Sequence, residues 1–572
     1  MKKSFFAFGV VALLLVGCAD EGQGDIGVVA TALTGNCSGL PGGSPLGSID
    51  RIEVTVNERS GKELASSTVS LAAGEAELAL KSVPVGSDNI ITLLGYAKDA
   101  NNPSWFGRRR DVSVLQDRTT EISLVLTRLG GFTCLTPPDG FKQRIFPSTV
   151  AMGGGKILIT GGFTGASSSG DKVWKLTTGE ASKDAFIYDP ATGKITKVGS
   201  MQHARGGHTG VHLALPEGDK VVLFGGATEL EMSDNGSYPF KFDASKGIDT
   251  YEVFDVATEK FETISDPNKP GKKMSLPRIF PIAAKLLDNT VLVSGGGPWE
   301  TTATQTQNQA YIAAEIWTPN ADDGEGGFLA FAGNLRMNTA HAGAGVAKLE
   351  DTFQGLSRYI VIGGTTISKN AVEIFTQSSD PEAVPGVFEP REVKGLANLY
   401  FPSVSKLRDA KDGSRRFLVA GGSIIDGKKI LPPSDKAWIL TVSIDDKIKR
   451  VSAEVIEHPC FNRFMHTASV SLDGDTVTFL GGFRGFGLTS EAPTCFFDVD
   501  KFDDPDQASQ AVFALADGQE QFLSRGGHAA ERLFDDTLLL VGGIFDSQTI
   551  SDPSNGLLEI YASPVIKTNL AQ

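Results

Sequence analysis

The sequence predicts an all-β protein: a seven-bladed β-propeller preceded by a small β-sandwich. Three observations lead there. Glycine accounts for 66 of 572 residues, well above ordinary usage. A short aliphatic run ending in Gly-Gly recurs seven times at an even period. Residues 48–130 contain alternating apolar and polar runs separated by polar turns, the pattern of half-buried strands.

The glycine pairs are the framework. They close Ile157–Thr160, Val221–Phe224, Val291–Ser294, Tyr359–Ile362, Phe417–Ala420, Val477–Leu480 and Leu538–Val541, and the first glycines stand 64, 70, 68, 58, 60 and 61 residues apart. Such self-similarity is the mark of a repeat architecture. Ahead of each pair a polar or basic residue is followed three places later by His or Pro: Arg144/Pro147, Arg205/His208, Arg278/Pro281, Asn338/His341, Arg463/His466 and Arg525/His528, with Pro402 alone in the fifth unit. After several pairs comes an aromatic strand such as Phe186-Ile187-Tyr188-Asp189 or Tyr251-Glu252-Val253-Phe254-Asp255. Four short strands per unit make one propeller blade. The Gly-Gly ends a strand where the chain turns sharply and neighbouring backbone crowds in. The strand after the His or Pro is expected to line the central channel. The run 132–136 lies where the outer strand of a preceding blade would sit, so it is expected to complete blade seven and close the ring.

These units resemble the kelch-repeat family, whose marks are the Gly-Gly and the following Tyr-Asp, across residues 131–572. The units are longer than usual for kelch, and the tryptophan of the fourth strand is mostly missing. Residues 48–130, with Val83-Pro84-Val85-Gly86 before a strand, resemble the transthyretin-like or carboxypeptidase-regulatory sandwich modules of secreted bacterial proteins.

The amino-terminal segment gives an address. Lys2-Lys3, an apolar run from Ser4 to Val16 and the ending Leu15-Val16-Gly17-Cys18 form a signal peptide over residues 1–17, too short for a permanent span. It resembles the bacterial lipoprotein signal, which implies acylation of Cys18 and attachment to the cell envelope by more than one acyl chain. Ala19 rather than aspartate follows Cys18, which in that family favours the outer membrane. Residues 18–47 are small, polar and glycine-rich, as a flexible tether would be.

Four further cysteines, Cys37, Cys134, Cys460 and Cys495, permit two disulfides in an oxidising compartment. Cys460 precedes the first strand of blade six and Cys495 opens its third, which places both on one rim. Cys37 and Cys134 flank the small domain. No Cys-x-x-Cys metal spacing occurs.

The chain carries 53 basic and 68 acidic residues, a net charge of −15, which excludes electrostatic binding of nucleic acid. Candidate rim residues for a ligand are Arg144, Arg205, His208, Arg278, His341, Arg463, His466, Arg525 and His528, since guanidinium groups suit carboxylate or sulfate. The alternative use of these side chains is bonding within the blades. Seven-bladed kelch proteins include copper radical oxidases, but no tyrosine here is followed by histidine and the chain ends early for their ligand-bearing terminal domain. No cofactor, metal or catalytic residue is therefore expected. Asp498-Val499-Asp500 and Asp503-Asp504-Pro505-Asp506 read as an acidic turn without the glycine and glutamate of a calcium loop. The expected role is that of a monomeric, lipid-anchored, non-enzymatic protein binding a protein or glycan partner. Its loops Thr164 to Lys183 and Ala227 to Thr250 are the expected contact surfaces. The alternative is a kelch-type sugar mutarotase.

Overall fold

The structure, a computed structural model, describes residues 22–32, 49–71, 78–169, 175–233, 246–264, 266, 268–297, 312–321, 325–330, 335–351, 355–364, 371–378, 385–426, 429–443, 450–484, 492–515, 525–544 and 558–565.

The small domain comprises β1 (Gln23–Ala32), β2 (Arg51–Asn57), β3 (Glu63–Ser70), β4 (Leu78–Pro84), β5 (Gly86–Tyr96), β6 (Trp105–Val114) and β7 (Thr119–Arg128). They run in the order β3-β2-β5-β6-β7-β1-β4. β6 and β7 pair only at Trp105–Arg128 and Phe106–Thr127, so the sheet folds over at that corner around one core containing Ile26, Ile52, Val54, Leu93 and Leu126. β1 corrects the expected tether. It pairs in parallel with β7 from Asp25 to Ala32 and buries Ile26 and Val28.

Seven four-stranded antiparallel blades follow. Their innermost strands are Ser148–Ala151, Thr209–Leu215, Ile282–Lys285, Gly345–Asp351, Ser403–Lys406, Thr467–Val470 and Ala529–Arg532. The second strand of each blade is the aliphatic run before its glycine pair. Its core residues are buried on both faces because each blade is covered by a neighbour on either side, which is why the run is continuously apolar rather than alternating. Seven hydrophobic clusters result, one per blade boundary. The cluster between blades seven and one, for example, joins Leu539, Val541 and Ile560 to Ile157, Ile159 and Phe186.

Blade seven takes its outer strand from the start of the propeller. β8 (Gly131–Cys134) pairs with Leu558–Ala562, setting Thr133 against Ile560 and Phe132 against Tyr561, whose rings stack at 4.5 Å. The ring is thus closed by hydrogen bonds between residues more than 400 positions apart. The small domain, continuous with β8, touches blade seven where Arg110 Nε donates to the Phe534 carbonyl at 2.8 Å.

Cys460 and Cys495 form a disulfide within blade six. Cys134 is also disulfide-bonded; Cys37, its expected partner, lies outside the described residues, as does Cys18. Parts of the two loops expected as contact surfaces also lie outside them. Of their described parts, Ala166–Ser169, Lys175–Thr178 and Glu231–Ser233 form a three-stranded sheet. In the acidic turn, Asp498 caps a one-turn helix over Val499–Asp503. Asp500 and Asp503 bind Arg408, and Asp503 also binds Arg416.

Candidate functional site in the propeller channel

The repeated Gly-Gly and the repeated arginine belong to one device. In every blade the second glycine donates its N–H to a carbonyl of the next blade: Gly162 to Arg205, Gly226 to Arg278, Gly296 to His341, Gly364 to Leu399, Gly422 to Arg463, Gly482 to Arg525 and Gly543 to Arg144, over 2.6–2.9 Å. The first glycine must lack a Cβ, since one at Gly161 or Gly542 would lie 2.1 Å from that carbonyl oxygen. The side chain of the same next-blade residue turns back into its own blade. Arg205 Nη1 donates to the Gly225 carbonyl at 2.7 Å and Nη2 to Glu252 at 2.8 Å. Arg278 does the same with Gly295 and Glu315, and Arg525 with Glu559. Arg144 donates to Gly161 and lies over Phe141 and Phe186. Arg463 donates to Gly481 and sits 3.3 Å from Cys495 Sγ.

This pattern corrects the register of blade four. His341 occupies the arginine position, with Nδ1 on the Gly363 carbonyl and Nε2 on Glu373. Ala344, not His341, stands where other blades have His or Pro. The remaining three histidines bridge blades: His208 to Thr160, His466 to Ser403 and His528 to Thr467, at 2.8–2.9 Å. Burial, with Arg205 and Arg525 respectively, drives His208 and His528 down to about 3, so both are neutral at physiological pH. Burial also lowers Arg144 to about 10 and Arg463 to about 9. All nine expected rim residues are buried or bonded into the blades; the five arginines are at most 1% exposed. The structure gathers them as a structural belt and points none of the guanidinium groups into the channel.

Two residues after every belt position the backbone is left-handed. Phe146, Gly207, Phe280, Gly343, Phe401, Met465 and Gly527 all have φ between 51° and 68°. Five links of a seven-membered circle join them, each amide donating to the preceding blade: Phe146 to Gly527, Gly207 to Phe146, Phe280 to Gly207, Phe401 to Gly343 and Gly527 to Met465. A phenylalanine in this region carries a strain of about 1–2 kcal/mol, held by these bonds. The rings of Phe146, Phe280 and Phe401 meet edge-on at 5.1 and 5.2 Å and cap the channel at the Gly-Gly face, over a cluster with Phe163, Phe464 and Phe483.

Below this cap the inner strands line the channel in levels set by their pairing. The first level is Ser148, Thr209, Ile282, Gly345, Ser403, Thr467 and Ala529; the second is Thr149, Gly210, Ala283, Val346, Val404, Ala468 and Ala530; the third is Val150, Val211, Ala284, Ala347, Ser405, Ser469 and Glu531. Glu531 is the only charged side chain at these three levels. It accepts a bond from Thr149 Oγ1 of the adjoining blade at 3.3 Å. Burial pushes its carboxyl up to about 7, with the Thr149 bond opposing. A carboxyl so poised exchanges a proton near neutrality.

The fourth level, at the hairpin face, differs in kind: Ala151, His212, Lys285, Lys348, Lys406, Val470 and Arg532. Five of these seven are basic side chains in a protein of net charge −15. Sequence reasoning missed both Glu531 and this rim. The signal was present, because every fourth-level residue lies four places after the His, Pro or Ala344 position.

No family model matches the sequence, and no curated protein matches it. Among solved structures, the chain is similar to one described as a novel fungal alcohol oxidase with catalytic diversity among the AA5 family, in complex with copper. The TM-score is 0.47 at 14% identity, over 76% of each chain. The expectation of a non-enzymatic binding protein, or of a mutarotase, is corrected here. The rim on which ligand binding was placed is built into the blades. Copper does not fit the residues present: each of the four belt and bridging histidines already spends a ring nitrogen on a hydroxyl, carbonyl or carboxylate, and among the described residues no group of three or more His, Cys, Asp or Glu converges.

Proposed function

We propose that the protein is an enzyme acting on a small molecule inside the propeller channel, with Glu531 giving or taking a proton. The observation behind this reading is the placement of Glu531, the one ionisable group at the three inner levels, bonded to Thr149 and held by burial at about 7. General acid–base catalysis works best when the group titrates near the working pH. Threonine hydroxyl and serine hydroxyls around it supply neutral hydrogen-bonding partners. The cap at the Gly-Gly face leaves the hairpin face as the way in. Incubating the protein with a mixed metabolite pool in D2O tests this. Mass spectrometry is expected to find a compound that gains deuterium or changes mass with the wild type and not with Glu531→Gln. Equal turnover by both proteins would refute the assignment.

We further propose that the propeller is of the kelch type and is carried on a lipid-anchored envelope protein; the repeated Gly-Gly with the following Tyr-Asp supports the first part and the ending Val16-Gly17-Cys18 the second. The expected outcome of expression in a bacterial envelope is a protein whose first residue is Cys18 bearing acyl chains, read by mass spectrometry of the amino-terminal peptide. A mature chain that begins elsewhere would overturn it.

A further inference from the structure

We propose that the hairpin-face mouth of the channel binds a small molecule bearing an oxyanion through an arc of three lysines, Lys285, Lys348 and Lys406, and directs the rest of that molecule toward Glu531. This rests on the reading of Glu531 as the proton-transfer group and names the class of its substrate.

The three lysines stand at the same level on consecutive blades, three, four and five. Glu531 stands one level deeper, between blades seven and one, where Thr149 meets it. In a ring of seven blades the point opposite that boundary is blade four. The arc therefore faces Glu531 across the channel, centred on Lys348. A molecule gripped by the arc extends over the channel axis to the carboxyl.

The charges on the rim are not equally available. His212 lies 3.1 Å from Asp219 and Arg532 3.0 Å from Asp536. Lys348 pairs with Asp351 at 2.7 Å. Lys406 donates to the Leu349 carbonyl at 3.1 Å rather than to a carboxylate, and Lys285 has no ion pair among the described residues. Around Lys406, Asp409 and Glu350 favour its charge while Arg415 and Lys348 oppose it, and burial with these cations lowers its pKa. An incoming oxyanion relieves that opposition. Ammonium groups act as compact point charges on such groups, so carboxylate and phosphate share the chemistry that the arc recognises.

Titration calorimetry of the full chain with inorganic phosphate and with malonate tests the proposal. Binding of either is expected, phosphate alone pointing to phosphate esters and malonate alone to carboxylates. The double variant Lys285→Gln/Lys406→Gln is expected to bind about tenfold more weakly or worse, with an unchanged melting temperature. Lys194→Gln, on the outer strand of blade one, is expected to bind as the wild type does. Glu531→Gln is expected to keep its anion affinity within about twofold, so anion binding without Glu531-dependent turnover would defeat the acid–base reading and leave the arc standing. Binding of neither anion at tens of millimolar, or equal binding by the double lysine variant, would overturn the arc.

Discussion

Arg205 shows what a single repeated side chain does here. Its guanidinium is fully buried and bonded to the Gly225 carbonyl, the Thr250 carbonyl and hydroxyl, and Glu252. Burial opposes ionisation of Glu252, but His203, Arg205 and the Gln202 and His203 amides outweigh it and hold that carboxyl at about 2. Arg205→Ala therefore leaves a buried carboxylate short of its cation. Denaturant unfolding is expected to show a loss of about 3–5 kcal/mol. The protein contains its own version of the apolar replacement. In blade five Leu399 takes the arginine position, and Trp438 takes the place of the glutamate opposite Val419, both buried in one cluster. Replacing Arg205 and Glu252 together by Leu and Trp is accordingly expected to cost less than Arg205→Ala. A single variant as stable as the wild type would show that the pair holds nothing.

At the scale of strands and blades, the fold was legible because two physical constraints repeat in every unit. A second strand covered on both faces must be apolar throughout, and a glycine pair must admit the next blade's carbonyl. Both leave marks within a few residues, so seven Gly-Gly pairs translate into seven blades. The strand β8 was legible for the same reason, as an unpaired run next to an incomplete last blade. What escaped depends on partners distant in sequence. β1 reads as a tether because Gly24 and Gly27 dilute its pattern, and its order comes from parallel pairing with β7 about 94 residues away, from Asp25 to Thr119. His341 was read three places out of register because Asn338 imitates a belt residue. Asn338 does contact Glu373, but only the bond from Gly296 to the His341 carbonyl identifies the belt position. The lysines escaped because the inner strands vary in composition, and their common level appears once the strands are aligned on the left-handed residue.

Across the whole molecule, the channel joins chemistry to stability through Glu531. An ordinary glutamate ionises near 4.5, whereas in the folded protein this carboxyl holds its proton to about 7. Between those values the folded state binds a proton that the unfolded state has released, so stability falls as pH rises through this window. Below it both states are protonated and the term vanishes; above it the penalty is constant, at most about 3 kcal/mol. The groups facing Glu531 do not cancel this. Thr149 is neutral, His208, His466 and His528 are neutral in the folded state because burial lowers them, Arg532 is bonded to Asp536, and the lysines lie across the channel one level away. Glu531→Gln keeps the Thr149 contact and removes the titration. Melting curves of the two proteins are expected to coincide near pH 4.5, and the variant is expected to melt progressively higher than the wild type up to pH 7, with a constant difference beyond. The direction follows from burial alone, so a variant that melts lower than the wild type at pH 8 would mean that the carboxyl is ionised and solvated in the folded channel. On the proposed reading, the residue that limits stability above pH 4.5 is also the one that exchanges the proton.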